Sequence, residues 1–218
     1  MTLRHTLPAL IASMLALLVL AGGSAVAQQP RVLRAEIDYR VIPPQPVQVS
    51  SGIEIIDFFW YGCPYCNQLQ PSLERWISRK PADVTVRRIP VILRDSWAPH
   101  ARIYYTLEAL GEAERLHQRV YHGYHVEQLY MSKPDVMSEW AVRNGIDRAR
   151  WDEAYASAEV GRKVEEAAKL TRAYGITGTP SLVVQGRYLT SGNMAESLDG
   201  VIPILDGMVR RVRETPAP

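Results

Sequence analysis

The chain has two cysteines, Cys63 and Cys66, separated by a proline and a tyrosine. They follow a largely apolar run, residues 55–61, and a single glycine, Gly62. A short apolar run closed by glycine and followed by Cys-Pro-X-Cys predicts a buried strand that leads directly into the first turn of a helix. That turn carries unpaired backbone N–H groups and a partial positive charge, which both favour a thiolate. We therefore expect Cys63 to be the exposed, reactive thiolate.

Cys66 lies three residues further on, on the same helical face, within reach of a disulfide with Cys63. The helix turns it towards the sheet, so we expect it to be the more buried, resolving thiol. A zinc site normally needs four ligands, and the chain has no second cysteine pair. A c-type haem needs a histidine directly after the second cysteine, where this chain has Asn67. A purely structural disulfide would rarely close so tight a loop after a buried strand, and we favour a redox-active pair.

The N-terminal residues have the three regions of a secretory signal peptide. Arg4 and His5 precede an apolar run at residues 10–21, and small residues at 25–27 form a cleavage site. The apolar run is shorter than the roughly 20 residues that span a bilayer. We expect residues 1–27 to be removed, with an uncleaved anchor as the alternative. In an exported protein, two cysteines confined to one motif indicate chemistry rather than a structural disulfide framework.

Composition excludes little else. The chain carries 25 basic and 23 acidic residues, so its charge nearly balances and gives no indication of nucleic-acid binding.

Strand-like and helix-like hydrophobic periods alternate along the chain and predict an α/β domain interrupted by helices. A strand at residues 53–61, a helix with one apolar face and a strand at 84–89 form a predicted parallel β-α-β unit. From 97 to 174 only helical spacing recurs. The remaining predicted elements are an edge strand at 39–42, a hairpin at 182–190 and a final helix at 194–213.

Two acidic residues interrupt the first predicted strand. Glu54 and Asp57 point to opposite faces because side chains alternate along a strand. We expect Glu54 to be solvated and Asp57 to lie inside the core beneath the cysteine pair, where burial raises the pKa of its carboxyl group. A buried acid beside Cys66 could relay the proton that the resolving thiol loses or gains. The alternative is a partly exposed acid at a strand edge with no role in the chemistry.

These features together resemble the DsbA-type thiol:disulfide oxidoreductases of the bacterial periplasm, in the thioredoxin superfamily. The resemblance is carried by Asp57 six positions before Cys63, by the Cys-Pro-Tyr-Cys motif, by the long helical insertion, and by Thr179 and Pro180 before a hairpin. It spans nearly the whole chain after the signal peptide. It implies an α/β thioredoxin fold with a large inserted helical domain. The implied domains are a thioredoxin-like domain at 28–95 and 175–218 and an inserted helical domain at 96–174.

The resemblance also implies roles for individual residues. Cys63 would be the nucleophilic cysteine, Cys66 its resolving partner and Asp57 the buried acid. Pro180 would be a cis-proline facing the disulfide, and Thr179 would offer backbone groups to an extended substrate segment. The resemblance also implies that Pro64 and Tyr65 support the active site and contact the substrate.

Tyr65 departs from the family pattern, in which many members have a histidine at this position. A histidine can stabilise the thiolate by charge, whereas a tyrosine is neutral near pH 7 and supplies at most a hydrogen bond. We therefore predict a less acidic Cys63 and a less oxidising site than in a relative that carries the histidine. Cys-Pro-Tyr-Cys also resembles glutaredoxins, but the signal peptide and the helical insertion disfavour that interpretation.

The expected function is donation of the Cys63–Cys66 disulfide to exported, folding proteins in the periplasm. The resemblance implies a DsbB-like membrane quinone reductase as the reoxidising partner, no cofactor beyond the cysteine pair, and a monomer. The alternatives are a periplasmic disulfide reductase or isomerase, and a chaperone-like binder of unfolded exported chains. Three aromatic residues could present an apolar groove to such chains, with core packing as the alternative: Trp60, Tyr61 and Tyr65.

The predicted helical block contains four histidines. His122 and His125 stand three residues apart and could share a helical face, but the sequence offers no evident acidic or cysteine partner. We therefore interpret these residues, together with His100 and His117, as surface histidines rather than as a metal site.

Overall fold

The computed structural model describes residues 32–215. The predicted signal peptide, residues 1–27, lies outside the described residues. No helix within the described range combines the length and the apolar character needed to cross a bilayer.

A five-stranded mixed sheet forms the centre of the fold, with strand order β1-β5-β4-β2-β3. Strands β2 and β3 are parallel, and the other neighbouring strands pair antiparallel. All seven residues of β2 are buried, as expected for a strand covered on both faces. The strands are β1 (Arg40–Val41), β2 (Ile53–Phe59), β3 (Val84–Pro90), β4 (Ser181–Val184) and β5 (Tyr188–Ser191).

Helices cover the sheet, and five of them follow one another between β3 and β4. In the described chain no strand lies between Val91 and Pro180, which confirms the predicted helical insertion. The helices are α1 (Pro64–Ile77), α2 (Ala98–Ala109), α3 (Ala113–His125), α4 (Pro134–Arg143), α5 (Arg148–Ala156), α6 (Ala158–Ala173) and α7 (Val201–Glu214), with a 3₁₀ turn at Asp95–Trp97.

The alternation of side chains along β2 divides the core into two clusters. Ile53 and Ile55 pack in the cluster that contains α1 and α7, whereas Ile56 and Phe58 pack in the cluster that contains the inserted helices. The strand therefore connects the two halves of the core and ends directly before the cysteine motif. The β-α-β unit, the edge strand and the hairpin that the sequence predicts are all confirmed.

The last helix begins later than predicted. It starts at Val201 rather than at residue 194, and turns occupy the preceding segment. Glu196 has a left-handed backbone with φ of 60°, which interrupts a right-handed helix. Pro203 lies in the first helical turn, where its missing N–H costs no hydrogen bond. A helix from 194 would instead have placed that proline in its interior.

Candidate active site at the start of helix α1

Cys63 is the N-cap residue of α1, with an extended backbone at φ −85° and ψ 116°. Its Sγ accepts a hydrogen bond from the backbone N–H of Cys66 at 3.4 Å. Pro64 follows at the first helical position, where proline is tolerated best. The sulfur therefore lies where the unpaired N–H groups of the helix converge, as the sequence predicts.

The approach to Cys63 is a tight turn. The N–H of Cys63 donates to the carbonyl of Trp60 at 2.9 Å. A Cβ atom at Gly62 would lie 2.3 Å from the Trp60 indole, so only glycine fits there without a shift of the ring.

The exposure expected for Cys63 is wrong. Only 6% of the residue is exposed, against 1% for Cys66, so the order of burial is correct but the reactive cysteine is itself largely covered. The covering group is the loop before β4, because the Cys63 Sγ lies 3.3 Å from the Thr179 carbonyl oxygen, to which its thiol can donate. Both cysteines are free thiols in this structure.

The two thiols differ in acidity. Hydrogen bonding from the Cys66 side chain is the largest cause that lowers the pKa of Cys63 to about 6. Burial opposes it, and hydrogen bonding from the Thr179 side chain and from the backbone N–H groups of the first turn adds to it. Burial, together with the neighbouring Cys63, raises the pKa of Cys66 well above its ordinary value. At neutral pH the pair therefore holds one thiolate, on Cys63, and one thiol, on Cys66.

Asp57 is fully buried on β2, and no hydrogen bond of ordinary geometry reaches either carboxylate oxygen. Burial raises its pKa to about 6, and the positive charge of Arg88 partly opposes that shift. The direction predicted for this pKa is confirmed, and the interpretation as a partly exposed edge acid is wrong. Its charge in turn contributes to the raised pKa of Cys66, so the two groups interact across the core.

Arg88 stands opposite Asp57 in the β2–β3 register. Its guanidinium forms ion pairs with Glu74 of α1 and, at 2.9 Å, with Glu114 in the first turn of α3. One buried cation therefore connects the active-site helix, the buried acid and the helical insertion. No local pattern in the sequence indicates this cluster, because the partners of Arg88 come from separate elements.

The expectation that Glu54 is solvated is wrong. The residue is 1% exposed, and its carboxylate pairs with Arg87 of the neighbouring strand at 3.1 Å. It also accepts a hydrogen bond from the backbone N–H of Gln48. The ion pair and the hydrogen bond offset part of the cost of burying this side chain.

A groove of about 840 Å³ runs beside the motif. The peptide bond between Thr179 and Pro180 is cis, as expected for that bond, and both residues line the groove together with Tyr65 and Leu189. The Tyr65 side chain is 59% exposed and stands at one wall. Of the four residues that the resemblance assigns to the support of the site and to substrate contact, Tyr65, Thr179 and Pro180 thus line one groove, and Pro64 does not.

The other two aromatic residues have packing roles. Tyr61 is buried at 1% exposure, so the proposal that it forms part of an exposed apolar groove is wrong. Trp60 is half-buried and stacks on Trp97 of the 3₁₀ turn, with ring centroids 3.9 Å apart. Of the three aromatic residues, Tyr65 is therefore the one that is exposed at this end of the site.

The histidines are not all surface residues. His100 and His117 are buried, with 5% and 1% exposure. His122 does have an acidic partner, Glu127, at 3.0 Å, and the His125 Nε2 lies 2.9 Å from the Tyr61 carbonyl oxygen. Among residues 32–215, no cluster of three or more histidine, cysteine, aspartate or glutamate side chains is arranged to hold a metal ion.

Comparison with known proteins agrees with this geometry. Residues 54–200 match the family model described as DSBA-like thioredoxin domain, which is more than half of the chain. The chain belongs to this family. Its match covers the buried acid, the cysteine motif, the helical insertion and the cis-proline.

Members of the DsbA family resemble the chain over nearly its full length. The thiol:disulfide interchange protein DsbA of Burkholderia cepacia is 34% identical over 207 residues, which cover 94% of this chain and 97% of that protein. The DsbA of Azotobacter vinelandii is 32% identical over 193 residues, which cover 88% and 90%. The crystal structure of Pseudomonas aeruginosa DsbA aligns with a TM-score of 0.80 at 30% identity, over 84% of this chain and 95% of that one. The resemblance and the thioredoxin fold with its helical insertion are confirmed.

Proposed function

We propose that the protein donates its Cys63–Cys66 disulfide to exported, folding proteins. The chain is a thiol:disulfide oxidoreductase of the DsbA family. The observation that carries the oxidase assignment is the difference between the two thiols, a pKa of about 6 for Cys63 at a helix N-cap and a raised pKa for Cys66. A stabilised thiolate favours the reduced form of the enzyme, so its disulfide is readily passed to a substrate.

The reaction transfers two electrons from a substrate dithiol to the enzyme. A substrate thiolate attacks the Cys63 sulfur, the bond to Cys66 breaks, and Cys66 leaves with the electron pair and takes up a proton. A second substrate thiolate then attacks the substrate sulfur of the mixed disulfide and expels Cys63 as a thiolate. The substrate gains a disulfide, and the enzyme is left reduced.

Asp57 fits the proton transfer in the first step. Its pKa of about 6 allows both protonation states near neutral pH, and its charge interacts with Cys66. We assign to it the supply of a proton to the departing Cys66 sulfur, and the removal of that proton when the enzyme is reoxidised.

The groove beside the motif suits an extended substrate segment. Thr179 would pair with the backbone of that segment, while Pro180 and Tyr65 contact its side chains. Pro64 contributes to the same site by fixing the first turn of α1. This arrangement would hold the substrate sulfur against Cys63, the less buried of the two cysteines.

The site of action belongs to the same proposal. The signal-like residues 1–27 support export to the periplasm, with reduced exported proteins as substrates and a DsbB-like membrane quinone reductase as the oxidant. The enzyme would act as a monomer and need no cofactor beyond the cysteine pair. Residues 96–174 would form the inserted domain and the flanking segments the thioredoxin-like domain.

Oxidative refolding of a reduced, disulfide-containing substrate tests the function. The oxidised protein should restore substrate activity with consumption of one enzyme disulfide per substrate disulfide, and a Cys63→Ser variant should be inactive. Refolding by Cys63→Ser as fast as by the wild type would instead indicate a chaperone-like binder. Cysteines that are mostly reduced in cells would indicate a reductase or isomerase and would overturn the proposed direction of electron flow.

A further inference from the structure

Tyr61, two residues before Cys63, is held at both ends by one helix of the insertion. Its hydroxyl lies 2.9 Å from the Nδ1 atom of His117, and its backbone carbonyl oxygen lies 2.9 Å from the Nε2 atom of His125. Both histidines belong to α3. The chemistry proposed above does not use either of them.

One side of α3 forms the contact with Tyr61. His117, Tyr121 and His125 recur every four residues and therefore share one side of the helix. The ring of Tyr121 lies 5.0 Å from that of Tyr61 and stacks on His125 with an interplanar angle of 20°. The insertion thus packs on the segment that leads into the reactive cysteine.

The chemistry of the carbonyl fixes the role of His125. A carbonyl oxygen accepts hydrogen bonds and cannot donate them, so the Nε2 atom of His125 must carry the hydrogen. The bond therefore forms with the neutral Nε2–H tautomer and with the protonated ring alike.

The Tyr61 carbonyl belongs to the peptide whose orientation determines the type of the turn before Cys63. Residues 60–63 form a four-residue turn, which the hydrogen bond from the Cys63 N–H to the Trp60 carbonyl closes at 2.9 Å. Its central peptide joins Tyr61 to Gly62, and rotation of that peptide interconverts the two common turn types. Gly62 is not among the glycines with positive φ, yet glycine readily adopts the positive φ of the other type. A group that binds the Tyr61 carbonyl selects one orientation.

We propose that His125 is a positioning residue for Cys63: its hydrogen bond to the Tyr61 carbonyl holds the turn that places the Cys63 sulfur at the N-cap of α1. The helical insertion thereby helps to set the acidity of the reactive cysteine, in a protein whose motif has Tyr65 where a histidine could act directly. The proposal rests on the proposed function of Cys63 and concerns its acidity and redox equilibrium.

Three variants separate the hydrogen bond from packing. His125→Gln keeps a donor at a similar reach, whereas His125→Phe keeps a ring without a donor. His122→Phe is the matched control, since His122 lies on the same helix, is half-exposed and pairs with Glu127 away from the turn. The readouts are the Cys63 pKa from thiolate absorbance and the redox equilibrium with glutathione.

We expect His125→Phe to raise the Cys63 pKa and to shift the redox equilibrium towards the disulfide by about fivefold, the factor that one net hydrogen bond contributes. His125→Gln should stay within about twofold of the wild type, and His122→Phe should match it. A folded His125→Phe with an unchanged equilibrium would overturn the proposal. Equal effects of Phe and Gln would also overturn it, because ring packing would then be the cause.

A measurement on the wild-type protein tests the proposal even if a variant does not fold. Imidazole nitrogen NMR of the reduced enzyme at neutral to alkaline pH should show the Nε2–H tautomer of His125, and the Nδ1–H tautomer would overturn the proposal. A protein that fails to oxidise substrates would contradict the proposed function instead. The Cys63 pKa in the wild type and in the three variants would still decide the role of His125.

Discussion

Asp57→Asn should stabilise the protein at neutral pH and have little effect at acidic pH. The carboxyl group is fully buried and no hydrogen bond of ordinary geometry reaches either oxygen, so burial disfavours its ionised form in the folded state. Asparagine has nearly the same shape and never ionises. The variant therefore removes the cost of a buried charge while leaving the packing of β2 intact.

The shift in the pKa of Asp57 gives the size of the expected stability difference between the wild type and Asp57→Asn. Its pKa rises from 3.8 to about 6 on folding, a change of roughly two units and about 3 kcal/mol. A group whose pKa is raised in the folded state contributes stability below the unfolded pKa and loses it as the pH rises through the folded pKa. The wild type should therefore lose about 3 kcal/mol relative to Asp57→Asn between about pH 3.5 and about pH 7.5.

Urea unfolding of both proteins across that pH range, with the cysteines kept reduced, measures the difference. Glu54→Gln is the control, since Glu54 is buried on the same strand but paired with Arg87. Its replacement breaks an ion pair and should destabilise the protein at neutral pH. The reasoning fails if the difference between wild type and Asp57→Asn changes by less than about 1 kcal/mol across the range.

The same variant tests the proton transfer. Asp57→Asn should slow the oxidation of substrate most strongly near neutral pH, because Cys66 loses the group assigned to protonate it. A second-order rate constant for substrate oxidation equal to that of the wild type from acidic to neutral pH would remove Asp57 from the mechanism.

Three further outcomes follow from the site. Alkylation of Cys63 by iodoacetamide should show a rate that is half-maximal near pH 6, in line with its pKa of about 6, and a midpoint near that of a free cysteine would contradict the thiolate assignment. Tyr65→His should lower the Cys63 pKa and make the glutathione equilibrium more oxidising, because it adds a partial positive charge beside the sulfur; an unchanged equilibrium would refute this effect. Gly62→Ala should destabilise the protein by about 1–3 kcal/mol in urea unfolding, since the new Cβ would meet the Trp60 indole at 2.3 Å. Gly178→Ala, where a Cβ meets nothing within 4 Å, should not, and equal effects would contradict the steric argument.

The local sequence was sufficient to predict features that depend on residues close together in the chain. The N-cap position of Cys63 follows from a strand, a glycine and a proline within a few residues, and the burial of Asp57 follows from alternation along a strand that is apolar on both faces. The late start of α7 also has a local signal, because an earlier start would place Pro203 inside the helix, where its ring and missing N–H are destabilising. The cis bond at Pro180 came from the family resemblance rather than from any pattern in this chain.

Long-range contacts decided the rest. The sequence indicated an exposed Cys63, but the loop at Thr179, 116 residues away, covers its sulfur. It indicated a solvated Glu54, but Arg87 of the next strand pairs with it. It also indicated surface histidines, although the spacing of His117, Tyr121 and His125 already places them on one face of a helix.

The sequence by itself determined the pair of thiols, the helix end at which one of them lies, and the α/β order with its helical insertion. Only the tertiary structure decided what covers the sulfur, which charges pair in the core, and that α3 packs on Tyr61 beside the motif. The physical reason is that hydrophobic periodicity records which face of an element is buried. It does not record which distant element lies against that face, and the polar atoms that adjust this site come from those distant elements.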